Sequence, residues 1–250
     1  MATIDEPRSG ARAVDRAIEV LNCFEGDDPE LSVSELAQRA GLPISTTHRL
    51  ARALVRGGLL EQDPGTDRYR IGHGLAALAR PALDRLGLDE VAPHLYALAA
   101  GIRITVSVSL IDDHDAVTVF QARPPVAFCH HQVPRARQSL HASATGHALL
   151  AYAPTRAAAD LDLDLDRVRR TGFASELIET EDPIRALAVP IVGPHRQVRG
   201  ALAVQARAAR LDSELVRAVV PAMRIAAGRI APLFQTTGGT ALSTAELRSR

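Results

Sequence analysis

"GLPISTTHRLARALVRGG" spans residues 41–58, and its reading decides the fold of the N-terminal part of the chain. On a helix advancing about 100° per residue, residues 44–56 separate into two faces. Ser45, Arg49, Arg52 and Arg56 fall in one narrow stripe flanked by Thr46 and His48, while Ile44, Thr47, Leu50, Ala51, Leu54 and Val55 take the other side. A solvated helix face usually mixes signs, because Glu and Arg spaced four apart stabilise each other. This stripe forgoes that support: from Leu36 to Leu60 there are four arginines and no Asp or Glu. Short hydroxyls at the start of a helix, with guanidinium groups one and two turns on, suit contact with a polyanion.

The flanks sharpen this reading. Upstream, "LSVSELAQRAG" opens with Ser32 and Glu35 in the spacing of a capping box and closes on Gly41, the residue best suited to a left-handed C-cap. Pro43 suits the first position of the next helix. A short helix, a "GLP" turn and a striped helix in succession predict a helix-turn-helix with the stripe on its recognition helix. "ARAVDRAIEVLNCF" before it carries Val14, Ala17, Ile18, Leu21 and Phe24 at helical spacing. Downstream, "GGLLEQDPGTDRYRIG" reads as strand, tight turn, strand. Tyr69 and Ile71 alternate with Arg68 and Arg70, so the arginines are expected to face outward and meet phosphate or the minor groove. Three helices and a two-stranded hairpin make a winged helix-turn-helix.

Composition limits the alternatives. The 29 basic side chains, all Arg, balance 29 acidic ones, so DNA binding has to come from a local patch. Without lysine the chain has no Schiff-base or lysine-base chemistry. Aromatics at 3% and the absence of Trp argue against a surface that stacks single-stranded bases. Two cysteines, Cys23 and Cys129, without C-x-x-C spacing, fit a reducing cytoplasm. The N-terminus shows no apolar signal segment, and no run approaches the roughly 18 apolar residues of a membrane span.

Residues 73–87, "HGLAALARPALDRLG", predict a linker helix interrupted near Pro81. Leu75, Leu78 and Leu86 on or near one face make it the expected dimer contact. A second period then begins. "IRITVSVSLID" places Ile104, Val106, Val108 and Leu110 on one face and Thr105, Ser107 and Ser109 on the other. "AVTVFQA" returns, "VAFCHHQV" is a third strand candidate, and "PTRAAADLDLDLDRVRRTGF" reads as mostly helical. "IRALAVPIVG" and "VRGALAVQAR" form a further hairpin before a long C-terminal helix. Strands that come as hairpins with helices between them predict an α+β domain on a largely antiparallel sheet. The expected division is a DNA-binding domain over 10–72, the linker helix over 73–87, a second domain over 88–234 and a disordered tail over 235–250.

In "SVSELAQRAGLPISTTHRL", "GGLLEQDPGTDRYRIG", "LHASATGHALLA", "RRTGFASE" and "AVPIV…VRGALAV", taken in that order, the chain resembles the IclR family of bacterial transcription regulators from about residue 10 to 234. The resemblance implies a winged-helix domain, a linker helix and a GAF-like effector domain. It also implies dimers or dimers of dimers on double-stranded promoter DNA, controlled by a small organic molecule. The stripe and the wing already give the expected DNA contacts: Ser45, Thr46, His48, Arg49, Arg52, Arg68 and Arg70. The effector loop maps onto Ala144, Thr145 and Gly146, and other pocket positions onto Glu176, Ala186, Ala203 and Gln205. Alanine at 186 and 203 supplies room but no hydrogen bond, which suggests an aromatic or branched acid, and Glu176 favours a hydroxyl or amino group beside it. The family carries Lys where this chain has His147.

"HASATGH" admits other readings. Small residues over 143–146 open main-chain N–H groups at a helix start to a carboxylate. The plainer alternative is an N-cap, with Ser143 capping and Gly146 packing. His141, Ser143 and His147 could form a nucleophilic site, although this is not G-x-S-x-G and no local acid orients either histidine. Cys129 with His141 and His147 could hold a metal or sense redox state; His130 and His131, adjacent in a strand, would point to opposite faces. The favoured reading needs no cofactor and no enzymatic activity.

Overall fold

The structure, a computed structural model, describes residues 9–26, 28–125, 133–153, 165–194 and 196–234. The third strand candidate up to residue 132, with Cys129, His130 and His131, lies outside the described residues, as do residues 154–164 of the stretch 154–173 expected to be mostly helical and the predicted tail. The chain divides into two compact units, residues 1–82 and 83–250.

The first unit is built by local signals. Helix α1 (Ser9–Asn22) ends in a 3-10 turn, Cys23–Glu25. The predicted capping box is present at the start of α2 (Val33–Ala40): the Glu35 N–H donates to Ser32 Oγ at 3.3 Å, and the Ser32 N–H donates to Glu35 Oε2 at 2.7 Å. Such a cap contributes about 1 kcal/mol. Gly41 ends α2 at φ 64°, a backbone conformation glycine adopts without a Cβ clash. Pro43 occupies the N-cap of α3 (Ile44–Arg56), one residue before its expected place. Strands β1 (Leu60–Gln62) and β2 (Tyr69–Ile71) pair antiparallel as the wing. Val20, Leu31, Leu36, Ala51, Leu54, Leu60 and Tyr69 form the core.

Two expectations change here. Helix α4 (His73–Arg85) runs through Pro81 without interruption and buries none of its residues. Residues 76–85 are exposed, so the carbonyl that Pro81 leaves without a helical donor can be met by solvent. In α1, Val20 is buried, whereas Val14 and Ile18 are 59% and 49% exposed. The predicted apolar face of α1 is therefore split between the core and solvent.

The second unit is a six-stranded antiparallel sheet in the order β5-β4-β3-β8-β7-β6. Its strands are β3 (Val106–Asp112), β4 (Asp115–Ala122), β5 (Arg137–Ser139), β6 (Ala174–Ile178), β7 (Ile184–Val192) and β8 (Val198–Arg207). Helices α5 (Leu88–Ile102) and α8 (Ser213–Ile230) pack on one face, against Val106, Val108, Leu187, Val189, Ile191, Leu202 and Val204. Helices α6 (Ala144–Leu150) and α7 (Leu165–Thr171) pack on the other, against Ala174, Ala186, Ala188, Ala201 and Ala203. One face is thus built from large branched side chains and the other from alanine. The alanine face lets α6 sit close. Gly146 shows how close: a Cβ there would lie 2.2 Å from the Leu140 carbonyl oxygen. This α+β architecture is the predicted one. No helix among the described residues is long and apolar enough to cross a membrane.

Candidate functional site

The exposed side of α3 consists of Ile44, Ser45, His48, Arg49, Arg52, Ala53 and Arg56, with Thr46 half-buried beside it. Thr47, Ala51 and Leu54 face the core, and the Thr47 hydroxyl donates to the Pro43 carbonyl at 3.1 Å. The predicted stripe is therefore assembled on one surface. Of the four arginines between Leu36 and Leu60, Arg39 is paired with Asp28. Among the described residues Arg49, Arg52 and Arg56 make no ion pair or side-chain hydrogen bond. Their donors point to solvent uncompensated, as a surface for phosphates and base edges requires. Ile44 departs from the expected pattern: it is 58% exposed, because the core begins one turn later, at Thr47.

The wing differs from the sequence reading. Arg68 is half-buried and donates to Glu35 Oε2 at 2.8 Å and to the Glu30 carbonyl at 3.0 Å. Arg70 donates from Nε to Glu61 at 3.1 Å and from Nη1 to Glu30 at 3.5 Å. The Arg68 guanidinium is held half-buried by Glu35 and the Glu30 carbonyl, and Arg70, although exposed, is paired with Glu61 and Glu30. At the wing tip, Asp63 accepts the N–H groups of Gly65 and Thr66 at 2.8 and 2.9 Å, and Asp67 turns at φ 57°, so the tip is acidic.

Two carboxylates bind this unit together. The Ser32 N–H and hydroxyl, and then Arg68, hold the Glu35 carboxyl down from 4.5 to about 2. The His73 ring and backbone N–H, and then Arg70, hold Glu61 down to about 2 as well. Glu61 Oε1 lies 2.6 Å from His73 Nδ1 at the first residue of α4, so one side chain ties the wing to the linker helix.

In the second unit, register collects positions that are distant in sequence. Glu176 on β6 pairs with Ala186 on β7, which pairs with Gln205 on β8. The adjacent row on the same face holds Ala174, Ala188, Ala203 and Ser107. Glu176, Ala186, Ala203 and Gln205 thus form one patch beneath α6, with Ala186, Ala203 and Gln205 nearly buried. The loop joins it directly, since the Ala144 N–H donates to Glu176 Oε2 at 2.9 Å.

That contact alters the picture of the loop. Two of the three N–H groups offered to a ligand carboxylate already have acceptors, Glu176 for Ala144 and Ser143 Oγ for Gly146 at 3.0 Å. Ser143 is an N-cap, and its hydroxyl also donates to the Ser139 carbonyl at 2.7 Å. Neither histidine contacts it: His147 Nε2 meets the His141 carbonyl at 2.7 Å, and His141 Nδ1 is buried without a partner. Nothing here prepares Ser143 as a nucleophile. Among the described residues no group of three His, Cys, Asp or Glu side chains is placed to hold a metal ion. Two open clefts lie elsewhere. One of about 470 Å³ is lined by Cys23 and Arg39, and one of about 200 Å³ by Tyr152 and Arg224.

Known proteins share this organisation. The IclR helix-turn-helix domain model matches residues 13–64, and the model of the bacterial transcriptional regulator IclR C-terminal region matches residues 155–232. The glycerol operon regulatory protein of Streptomyces coelicolor is 27% identical over 237 residues, which cover 85% of this chain and 92% of that protein. The crystal structure of an IclR transcriptional regulator from Alicyclobacillus acidocaldarius aligns with a TM-score of 0.73 at 22% identity, over 89% of this chain and 98% of that one. An IclR homolog from Microbacterium hydrocarbonoxydans, solved in complex with 4-hydroxybenzoate, aligns with a TM-score of 0.70 at 24% identity, over 88% and 98% of the two chains.

Proposed function

The chain belongs to the IclR family of transcriptional regulators, and from that premise we propose that it grips double-stranded promoter DNA with the Ser45–Arg56 face of α3 and that a small organic acid in the second unit controls the grip. The observation that carries this reading is the set of exposed arginines at 49, 52 and 56, which have no hydrogen-bond or ion-pair partner among the described residues. Ser45, Thr46 and His48 complete the contact surface. Arg68 and Arg70 take a supporting role: Arg68 ties the wing to α2 through Glu35, and Arg70 pairs with Glu61 across the hairpin and with Glu30. The site of action is the cytoplasm, where the DNA is.

One recognition helix makes few base contacts, so two are needed on a palindromic site. We propose a second copy of the chain as the partner of apolar side chains left open on the first unit: Val14 and Ile18 on α1, and Leu78, 68% exposed, on α4. Leu75 is half-buried beside it, whereas Leu86 packs into the core of the second unit and is withdrawn from this role. A dimer or a dimer of dimers follows.

For the effector, the alanines at 186 and 203 give an apolar body room, and Glu176 keeps one carboxylate oxygen without a donor among the described residues. An acid that also carries a hydroxyl suits this patch, and the ligand of the Microbacterium protein has that chemistry. Its carboxylate competes with Glu176 for the Ala144 N–H if it docks on residues 144–146. The test measures binding of the full chain to a duplex selected from a random library. Arg49→Ala should weaken binding by about 1–3 kcal/mol, roughly five- to 150-fold, if it reads a guanine edge. Equal binding by parent and variant would reduce the stripe to a solvated face.

A further inference from the structure

We infer that Ile44 is a specificity-determining residue that reads a thymine methyl group in the major groove. The inference rests on α3 being the DNA-reading helix and goes beyond the charged contacts that define it.

Ile44 is the first residue of α3 and is 58% exposed, while its neighbours on the helical wheel, Thr47, Ala51 and Leu54, are buried. A single exposed apolar side chain is ordinary on most surfaces. This one lies among Ser45, His48, Arg49 and Arg52, and apart from Ala53 it is the only apolar side chain on the open face of α3. A helical side chain leans toward the N-terminus of its helix, so Ile44 projects past the start of α3, the end that approaches base edges when a recognition helix lies in the groove. There the major groove offers one apolar feature, the C5-methyl of thymine, beside the acceptors of guanine that arginine reads. Branched at Cβ and stiff at χ1, isoleucine loses little freedom in making that contact.

Spacing adds a second consequence. Ile44 and Arg49 are separated by about 7.5 Å along the helix axis, near two base-pair steps. The half-site should therefore hold a thymine within about two base pairs of the guanine that Arg49 reads.

The experiment uses the full-length chain and the tightest duplex it enriches from a randomised library. Each thymine of the half-site is replaced in turn by deoxyuridine, which removes only the methyl. At one position the parent should lose affinity by about fourfold, the value of one buried methylene. At that same position Ile44→Ala should lose almost nothing, and Ile44→Val should retain most of the parent's sensitivity. The exposed position makes all three proteins equally stable, which thermal melting checks. An enriched half-site without thymine in the contacted base pairs would overturn the inference, as would a methyl sensitivity that Ile44→Ala keeps in full. A parent that enriches no sequence would instead bring down the DNA reading itself, so the two failures are distinguishable.

Discussion

At the scale of single residues, two arginines that look alike in the sequence do different work. Arg49 is exposed and has no partner among the described residues, whereas Arg68 is tied to Glu35 and the Glu30 carbonyl. Arg68→Ala should lower the denaturation midpoint slightly, as the loss of a surface pair does, and leave the salt dependence of DNA binding unchanged. Were Arg68 a phosphate contact, its removal would reduce the slope of log K against log salt by about one. Titrating parent and variant across a salt series separates the two outcomes. The α3 stripe was legible because helix periodicity is local. The partners of Arg68 and Arg70 were not, since those carboxylates lie up to 40 residues away and meet the wing only through the fold. Ile44 was misplaced for a related reason: a helical wheel assigns a face but cannot tell where along the helix the core begins.

At the scale of elements, the capping box of α2 and the Glu61 tie between wing and linker helix make the first unit sensitive to acid. Both carboxyls sit at about 2 in the folded chain against an ordinary 4.5. Their stabilisation is therefore complete above pH 4.5 and fades as the pH falls from there toward 2. Hydrogen-exchange protection over residues 31–72, corrected for intrinsic rates, should decline through that window. Glu35→Gln should remove part of the decline, and a protection profile flat across the window would contradict the assignment. Capping residues and turn glycines were readable because each acts within a few positions. Strands β5 and β6, "RQS" and "ASELI", were missed: both are short edge strands, and neither shows an alternation of apolar and polar residues to detect. The effector patch shows the same limit. Glu176, Ala186, Ala203 and Gln205 came from family resemblance alone, and only the β6-β7-β8 register brings them under α6. Gly146, read as a possible ligand contact, is required by the approach of α6 to Leu140 in any case.

At the scale of the whole molecule, the proposed recognition by α3 calls for pairing of two chains. The parent should sediment as a dimer or larger at micromolar concentration, and Leu78→Asp should shift it toward monomer and weaken binding to a two-half-site duplex more than to a single half-site. A parent that stays monomeric and binds one half-site tightly would remove the proposed role of α1 and α4. The central claim, that α3 lies in the major groove and Arg49 reads guanine there, is tested most directly by guanine-N7 methylation protection on the selected duplex. Two protected major-groove patches are expected, related by a dyad and separated by about one helical turn or a multiple of it. Arg49→Ala should lose protection at one guanine per half-site and keep the rest. A footprint confined to the minor groove, or one identical for parent and Arg49→Ala, would contradict it.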